Sequence, residues 1–149
     1  MEKVYELYIS TSPERLWTAI TDPEIRGKYT FGAEVRSDWT VGGRWELSSP
    51  ITPGLLAEGE NIEVDPPWRL VQSFVALWSE QVRAEGNSRV SWEIESVVDS
   101  CRLTLTHDHL RENANPELYG GWPMILSGLK TWLETGRVLT TPGSLRYTA

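Results

Sequence analysis

The stretch RVSWEIESVVDSCRLTLTHDH, residues 89–109, alternates apolar and polar side chains and breaks once, at Asp99-Ser100. A period of two marks a strand with one buried face, and the break carries turn residues. Val90, Trp92 and Ile94 share one face, opposite Ser91, Glu93 and Glu95. Leu103, Leu105 and His107 share one face, opposite Arg102, Thr104, Thr106 and Asp108. A link this short makes the two strands an antiparallel pair. Downstream the period changes. Leu118, Trp122, Ile125, Leu126, Leu129 and Leu133 fall at helical spacing and form one apolar stripe. This predicts a long helix from Pro116 or Trp122 to Thr135, with Gly136 as its stop. Pro123 either belongs to its first turn or kinks it at Gly120-Gly121.

Upstream of the pair, period-two segments continue at Ala33–Arg36, Gly43–Ser49, Leu55–Asp65 and Arg69–Leu77. They are separated by Val41-Gly42-Gly43, Pro50 to Gly54 and Asp65-Pro66-Pro67, and Glu85-Gly86-Asn87 precedes the pair. Val4–Ile9 reads as a first strand. Ser12-Pro13 and Asp22-Pro23 each supply an N-cap followed by a helix-compatible proline. They open short helices at Pro13–Ile20 and from Asp22 to about Tyr29. The order is strand, two short helices, six strands, long helix. The expectation is an α+β domain: a curved antiparallel sheet of six or seven strands wrapped on the last helix. Residues 1–137 form the domain, and residues 138–149, rich in Thr, Gly, Pro and Ser, form a loosely ordered tail.

Composition narrows the function. Fourteen basic against 21 acidic residues give a net charge of -7. Such a chain has no electrostatic footprint for nucleic acid or an anionic membrane. A single cysteine, Cys101, allows no internal disulfide and fits a reducing, cytoplasmic compartment. The start, MEKVYELYIS, has no apolar run of a signal peptide. Two histidines without matched cysteines or clustered carboxylates predict no metal site, and no phosphate-cradling loop or nucleophile motif points to a cofactor.

Eight tryptophans are the outstanding feature: Trp17, Trp39, Trp45, Trp68, Trp78, Trp92, Trp122 and Trp132. Rings on inward faces either fill a bulky core or wall a cavity. Alternation puts Trp45 and Leu47 inward, and Leu70, Gln72, Phe74, Ala76 and Trp78 inward on the next-but-one strand. Glu58, Glu60, Ile62 and Val64 share a parity, so Glu60 is read as an inward carboxylate, an anchor for a ligand, or else an edge residue in water. His107 ends an apolar face and is either a hydrogen-bonded core residue or an acid–base group. His109, nearer the loop, is read as solvated. Asp38 and Trp39 precede a turn and either close a pocket mouth or cap the turn.

Six segments occur in order and at characteristic spacing: PERLWTAITDPE (13–24), DWTVGGRW (38–45), GENIEVDPPWRLV (59–71), RVSWEIE (89–95), LTLTHD (103–108) and GGWPMILSGLKTWLETG (120–136). Together they resemble the START-like (SRPBCC) superfamily, in its branch similar to the activator of the heat-shock ATPase, over about Val4 to Gly136. The resemblance implies the helix-grip fold with a deep apolar cavity between sheet and C-terminal helix. Superfamily members bind lipids, sterols or polyketides there, and some are cyclases or hydrolytic enzymes. The expected ligand-facing residues are Trp39, Trp45, Leu47, Glu60, Ile62, Phe74 and Trp78 from the first part of the sheet. Trp92, His107 and Trp122 follow, with Ile125, Leu126 and Leu129 from the last helix. The leading reading is a binder of a small hydrophobic, aromatic or polyketide-like ligand. The alternatives are a cyclase-like or hydrolytic enzyme using Glu60 and His107, and a chaperone-associated protein. Homodimerisation is left open.

Overall fold

The computed structural model describes residues 1–142. Its elements are β1 (Lys3–Ile9), α1 (Pro13–Thr21), α2 (Pro23–Tyr29), β2 (Glu34–Ser37), β3 (Arg44–Ser48), β4 (Leu55–Asp65) and β5 (Arg69–Ala76). There follow α3 (Glu80–Arg83), β6 (Asn87–Val97), β7 (Ser100–Asp108), α4 (Glu117–Gly120) and α5 (Trp122–Thr135). Seven strands form one antiparallel sheet in the order β1-β7-β6-β5-β4-β3-β2. The sheet is a meander from β2 to β7, closed at one edge by the N-terminal strand. It is the sheet wrapped on the last helix expected from the alternation, and the helix-grip architecture that the resemblance implied. The expected tail reaches beyond the described residues from position 143 onward.

The local signals act as their chemistry requires. The Ser12 hydroxyl caps α1 by accepting from Arg15 N–H at 3.2 Å, and the Asp22 carboxylate caps α2 through Ile25 N–H at 3.0 Å. The stripe that predicted one helix is divided. α4 ends at Gly120, and α5 starts afresh at Trp122, so Pro123 sits in a first turn where a missing N–H costs nothing. Gly136 ends α5 in the left-handed region, φ 73°, returning its N–H to Trp132 O at 2.8 Å.

The core lies between the inner face of the sheet and α5, with α1 and α2 packed beside them. Leu70, Phe74, Val90, Trp92, Leu103 and Leu105 from the strands meet Trp122, Leu126, Leu129 and Leu133 from α5. Gly128 lets α5 approach α2, because a Cβ there would come within 3.0 Å of the Tyr29 side chain.

One strand departs from simple alternation. In β4, Ala57 and Asn61 are buried while Glu60 and Ile62 are exposed. The register against β5 shifts between Asn61, opposite Gln72, and Glu63, opposite Val71. Ile62 is the extra residue of this bulge, and the bulge inverts parity along the strand. Val64 is packed on the core, but the inward positions before the bulge belong to Ala57 and Asn61. The inward placements of Glu58, Glu60 and Ile62 are therefore corrected: Glu58 faces out and pairs with Arg44, and Glu60 stands in solvent. Trp78 is also corrected. β5 ends at Ala76, so Trp78 lies in the link to α3 and is exposed.

Near the bulge the strands separate to admit an indole. Trp45, opposite Gly59 in the register, donates Nε1–H to Ser73 O at 2.9 Å, and Glu60 N–H is taken instead by the Ser73 hydroxyl at 2.8 Å. A Cβ on Gly59 would fall 2.0 Å from Ser73 O and 2.7 Å from Trp45 Nε1. Neither atom can retreat without breaking the indole bond. Gly59→Ala is expected to destabilise the protein by about 2 kcal/mol or more in urea unfolding. An unchanged midpoint would show that the strands relax freely there.

Candidate functional site

The strands bring the inward rings of the sheet under the first turn of α5. Trp45 stacks on Phe74 with centroids 5.7 Å apart, and Phe74 meets the His107 ring edge-on at 5.2 Å. Trp122 reaches down from α5 to Trp92 at 5.7 Å, to His107 at 6.2 Å and to Phe74 at 6.5 Å. These separations are those of rings in contact. The expected cavity walls therefore touch one another and form an aromatic cluster, instead of standing apart around an open space. Leu126 and Leu129 continue it along α5, while Ile125, Leu47 and Trp39 pack at its margins.

A hydrogen-bonded chain runs through the cluster. Trp122 Nε1–H donates to His107 Nδ1 at 3.1 Å. This leaves the proton of a neutral imidazole on Nε2, which donates to the Ser88 hydroxyl at 2.8 Å. Ser88 in turn donates to Phe74 O at 3.2 Å. The His107 side chain is wholly buried, and burial pushes its pKa down to about 4, with the Asp108 carboxylate opposing the shift. Both ring nitrogens are engaged, and a second ring proton would meet the Trp122 N–H head-on. His107 here is a fixed neutral group. Asp108 faces the other way and is clamped by Arg89 through two bonds, at 2.9 and 2.7 Å. His109 is exposed, as its position implied.

The inward position denied to Glu60 is held by Asn61. Its Nδ2 donates to the Ser37 hydroxyl at 2.9 Å and to Thr40 O at 3.2 Å, and its Oδ1 accepts from Gln72 Nε2 at 3.0 Å. Asn61 and Gln72 are both buried. Ser37 also accepts from Trp39 N–H at 3.0 Å, so this amide network holds the Trp39 turn against the sheet. Glu60 and His107 lie on opposite faces of the sheet, so the acid–base pair of the enzymatic reading is not assembled.

Sequence reasoning passed over Arg26. It lies in α2 three residues before Tyr29, on the same helix face, and both are buried. Nη1 donates to Ile20 O at 2.9 Å, and the guanidinium lies 5.1 Å over the Trp92 ring. Arg26 Nε and Trp92 Nε1 are buried donors without an acceptor among the described residues. The spacing Arg26-x-x-Tyr29 was the available signal, since residues three apart share a helix face. Two concavities open elsewhere on the described surface. One, about 240 Å³, lies between the helices and is lined by Thr18, Ala19, Ile25 and Trp132 among others. The other, about 410 Å³, lies over the outer sheet face near Trp68, Arg69 and Glu93.

The His107 network makes stability depend on pH with a definite sign. The unfolded histidine takes a proton below 6.5, and the folded one only near 4. Between these values the unfolded state binds more protons, so stability falls as pH falls, and the loss from this group is complete below about 4. Relative to a His107→Gln variant, the wild type should lose about 2 kcal/mol of unfolding free energy between pH 7 and pH 5. Parallel pH profiles for the two proteins would contradict this assignment.

Comparisons with known proteins agree with the architecture. Among solved structures, an HSP90 activator from Plasmodium falciparum matches with a TM-score of 0.74 and 24% identity, over 90% of this chain and 96% of that one. The Aha1 dimer from Colwellia psychrerythraea matches at 0.73 and 18%, over 91% and 98%. CalU16 from Micromonospora echinospora matches at 0.72 and 23%, over 91% and 77%. At these identities the likeness is one of fold. No curated protein matches the chain. The family model described as Activator of Hsp90 ATPase homolog 1-like protein matches residues 10–134. The chain belongs to that family.

Proposed function

We propose that this protein binds a small hydrophobic, aromatic ligand between the sheet and α5, with the cluster of Trp45, Phe74, Trp92 and Trp122 as its receptor surface. The observation that carries this reading is Trp92. Its ring is 1% exposed and lies against Trp122, yet its Nε1–H has no acceptor among the described residues. An orphaned buried donor costs about 1–3 kcal/mol. A core built only for stability would place an aliphatic or phenyl ring there. An indole offering its N–H to the interior is what a binding surface needs: area for stacking and one polar point for orientation.

The rings touch, so a ligand is admitted by parting them. Trp122 is the movable member. It stands in the first turn of α5, just after the break at Gly121. His107 serves this surface as a positioning residue, holding Trp122 in its closed place. Catalysis by a Glu60–His107 pair is not part of the proposal, because Glu60 faces solvent.

The test is titration with N-phenyl-1-naphthylamine, a neutral dye that brightens in apolar surroundings. Saturable enhancement is expected, and Trp92→Ala should change the dissociation constant by about tenfold. Trp78→Ala, at an exposed site, should leave it unchanged. A linear, unsaturable response, or equal sensitivity to both substitutions, would refute binding inside the grip.

A further inference from the structure

The chain distributes its acidic residues in an unexpected way. Arg36, Arg44, Arg69, Arg89, Arg102 and Arg111 each pair with a carboxylate, and each has a side chain at least a third exposed. Water already solvates those charges, and pairs of this kind contribute little. Arg26 is 5% exposed, and among the described residues no carboxylate lies within ion-pair distance of it. A guanidinium stays charged in proteins. Burying one without a counter-ion costs several kcal/mol.

The neighbours do not supply the missing charge. Tyr29, on the same helix face, is the titratable group whose charge acts on Arg26. Burial pushes its pKa up to about 12, with Arg26 opposing, so the phenol is neutral at ordinary pH. Its hydroxyl is spent on Ala19 O at 2.7 Å. The Ile20 carbonyl and the Trp92 π-face attract the guanidinium but neither neutralises it. Among the described residues Nε–H finds no acceptor, and the indole under the guanidinium has its own N–H unpartnered. Two orphaned donors and one uncompensated positive charge thus belong to two neighbouring residues, with the guanidinium carbon 5.1 Å from the centre of the Trp92 ring. A buried water would satisfy a donor but not the charge.

We propose that Arg26 and Trp92 form an anion subsite within the grip, which takes the carboxylate of a small aromatic acid. The carboxylate accepts from Arg26 Nε–H and Trp92 Nε1–H while the ring of the acid lies on the indole cluster. This rests on the ligand-binding reading above and adds the charge of the ligand to it. No bond is made or broken. The gain is the counter-ion that the fold omits.

The probes are 2-naphthoate and its neutral counterpart 2-naphthalenemethanol, titrated at neutral pH by isothermal calorimetry. The acid should bind more tightly by at least about tenfold. Arg26→Met should abolish that preference by weakening the acid alone, and its unliganded melting temperature should hold or rise, since a buried charge is replaced by an apolar chain. Trp92→Phe keeps an aromatic ring, though a smaller one, and removes the N–H, and should weaken the acid more than the alcohol. A measurement on the wild type does not depend on variants folding: the Arg26 Nε–H resonance should shift with naphthoate and stay in place with the alcohol. Equal binding of acid and alcohol would overturn the anion subsite and leave the ligand reading standing. Binding of neither would overturn both. Acid binding with an unmoved Arg26 Nε–H would place the carboxylate elsewhere and also overturn the subsite.

Discussion

A buried hydrogen bond, from the Trp122 indole to Nδ1 of His107, joins the start of the long helix to the inner face of the sheet, and an exposed one from Lys130 Nζ to Tyr8 O at 2.6 Å ties its later turns to β1. Apolar stripes alone would let α5 slide or rotate over the strands, because hydrophobic attraction is not directional. A buried indole N–H has one good acceptor at this depth and so specifies the seat of the helix. The same bond fixes the imidazole tautomer, and through Ser88 it reaches a backbone carbonyl of β5. Helix, β7, β6 and β5 are thereby tied in one line. His107 must remain neutral for this line to exist, and its burial among rings ensures that it does.

Around that line the interior is rich in donors and poor in acceptors. Outside, acid and base alternate across the strands, as in Glu63–Arg69–Glu93 and Glu58–Arg44–Glu46. Inside, the only buried guanidinium of the described residues lies over an indole, and no carboxylate turns toward it. The bulge at Ile62 contributes to this arrangement by keeping Glu60 outside and giving the inward position to the uncharged Asn61. Had β4 alternated without interruption, a carboxylate would have been buried. The two faces of the sheet therefore differ in kind: one is a compensated ionic lattice, the other an aromatic surface with unspent hydrogen-bond donors.

The fold was legible because its signals are short-range. Period two, caps such as Ser12 and Asp22, and a stop such as Gly136 each act within a few residues. The site was legible only where alternation is unbroken. Trp45, Phe74, Trp92, His107 and Trp122 fell on the face assigned to them. Glu60 and Ile62 did not, because a bulge depends on how β4 matches β5 across the sheet, which parity within one strand does not encode. Trp78 was misplaced by extending a strand two residues past its end. Arg26 was missed because charged residues on short helices are ordinarily solvated. Family membership, likewise, settles the architecture and leaves the chemistry of the site to these particular side chains.

The account is tested most directly by the indole N–H resonances of the eight tryptophans, assigned and followed as N-phenyl-1-naphthylamine is added. Each indole reports its own location. The account predicts that Trp92 and Trp122 shift together and saturably, with Trp68 and Trp78 on the surface unmoved. Movement confined to Trp68 and Trp78, with the Trp92 and Trp122 signals fixed at saturating dye, would contradict it and leave the aromatic cluster as a closed core.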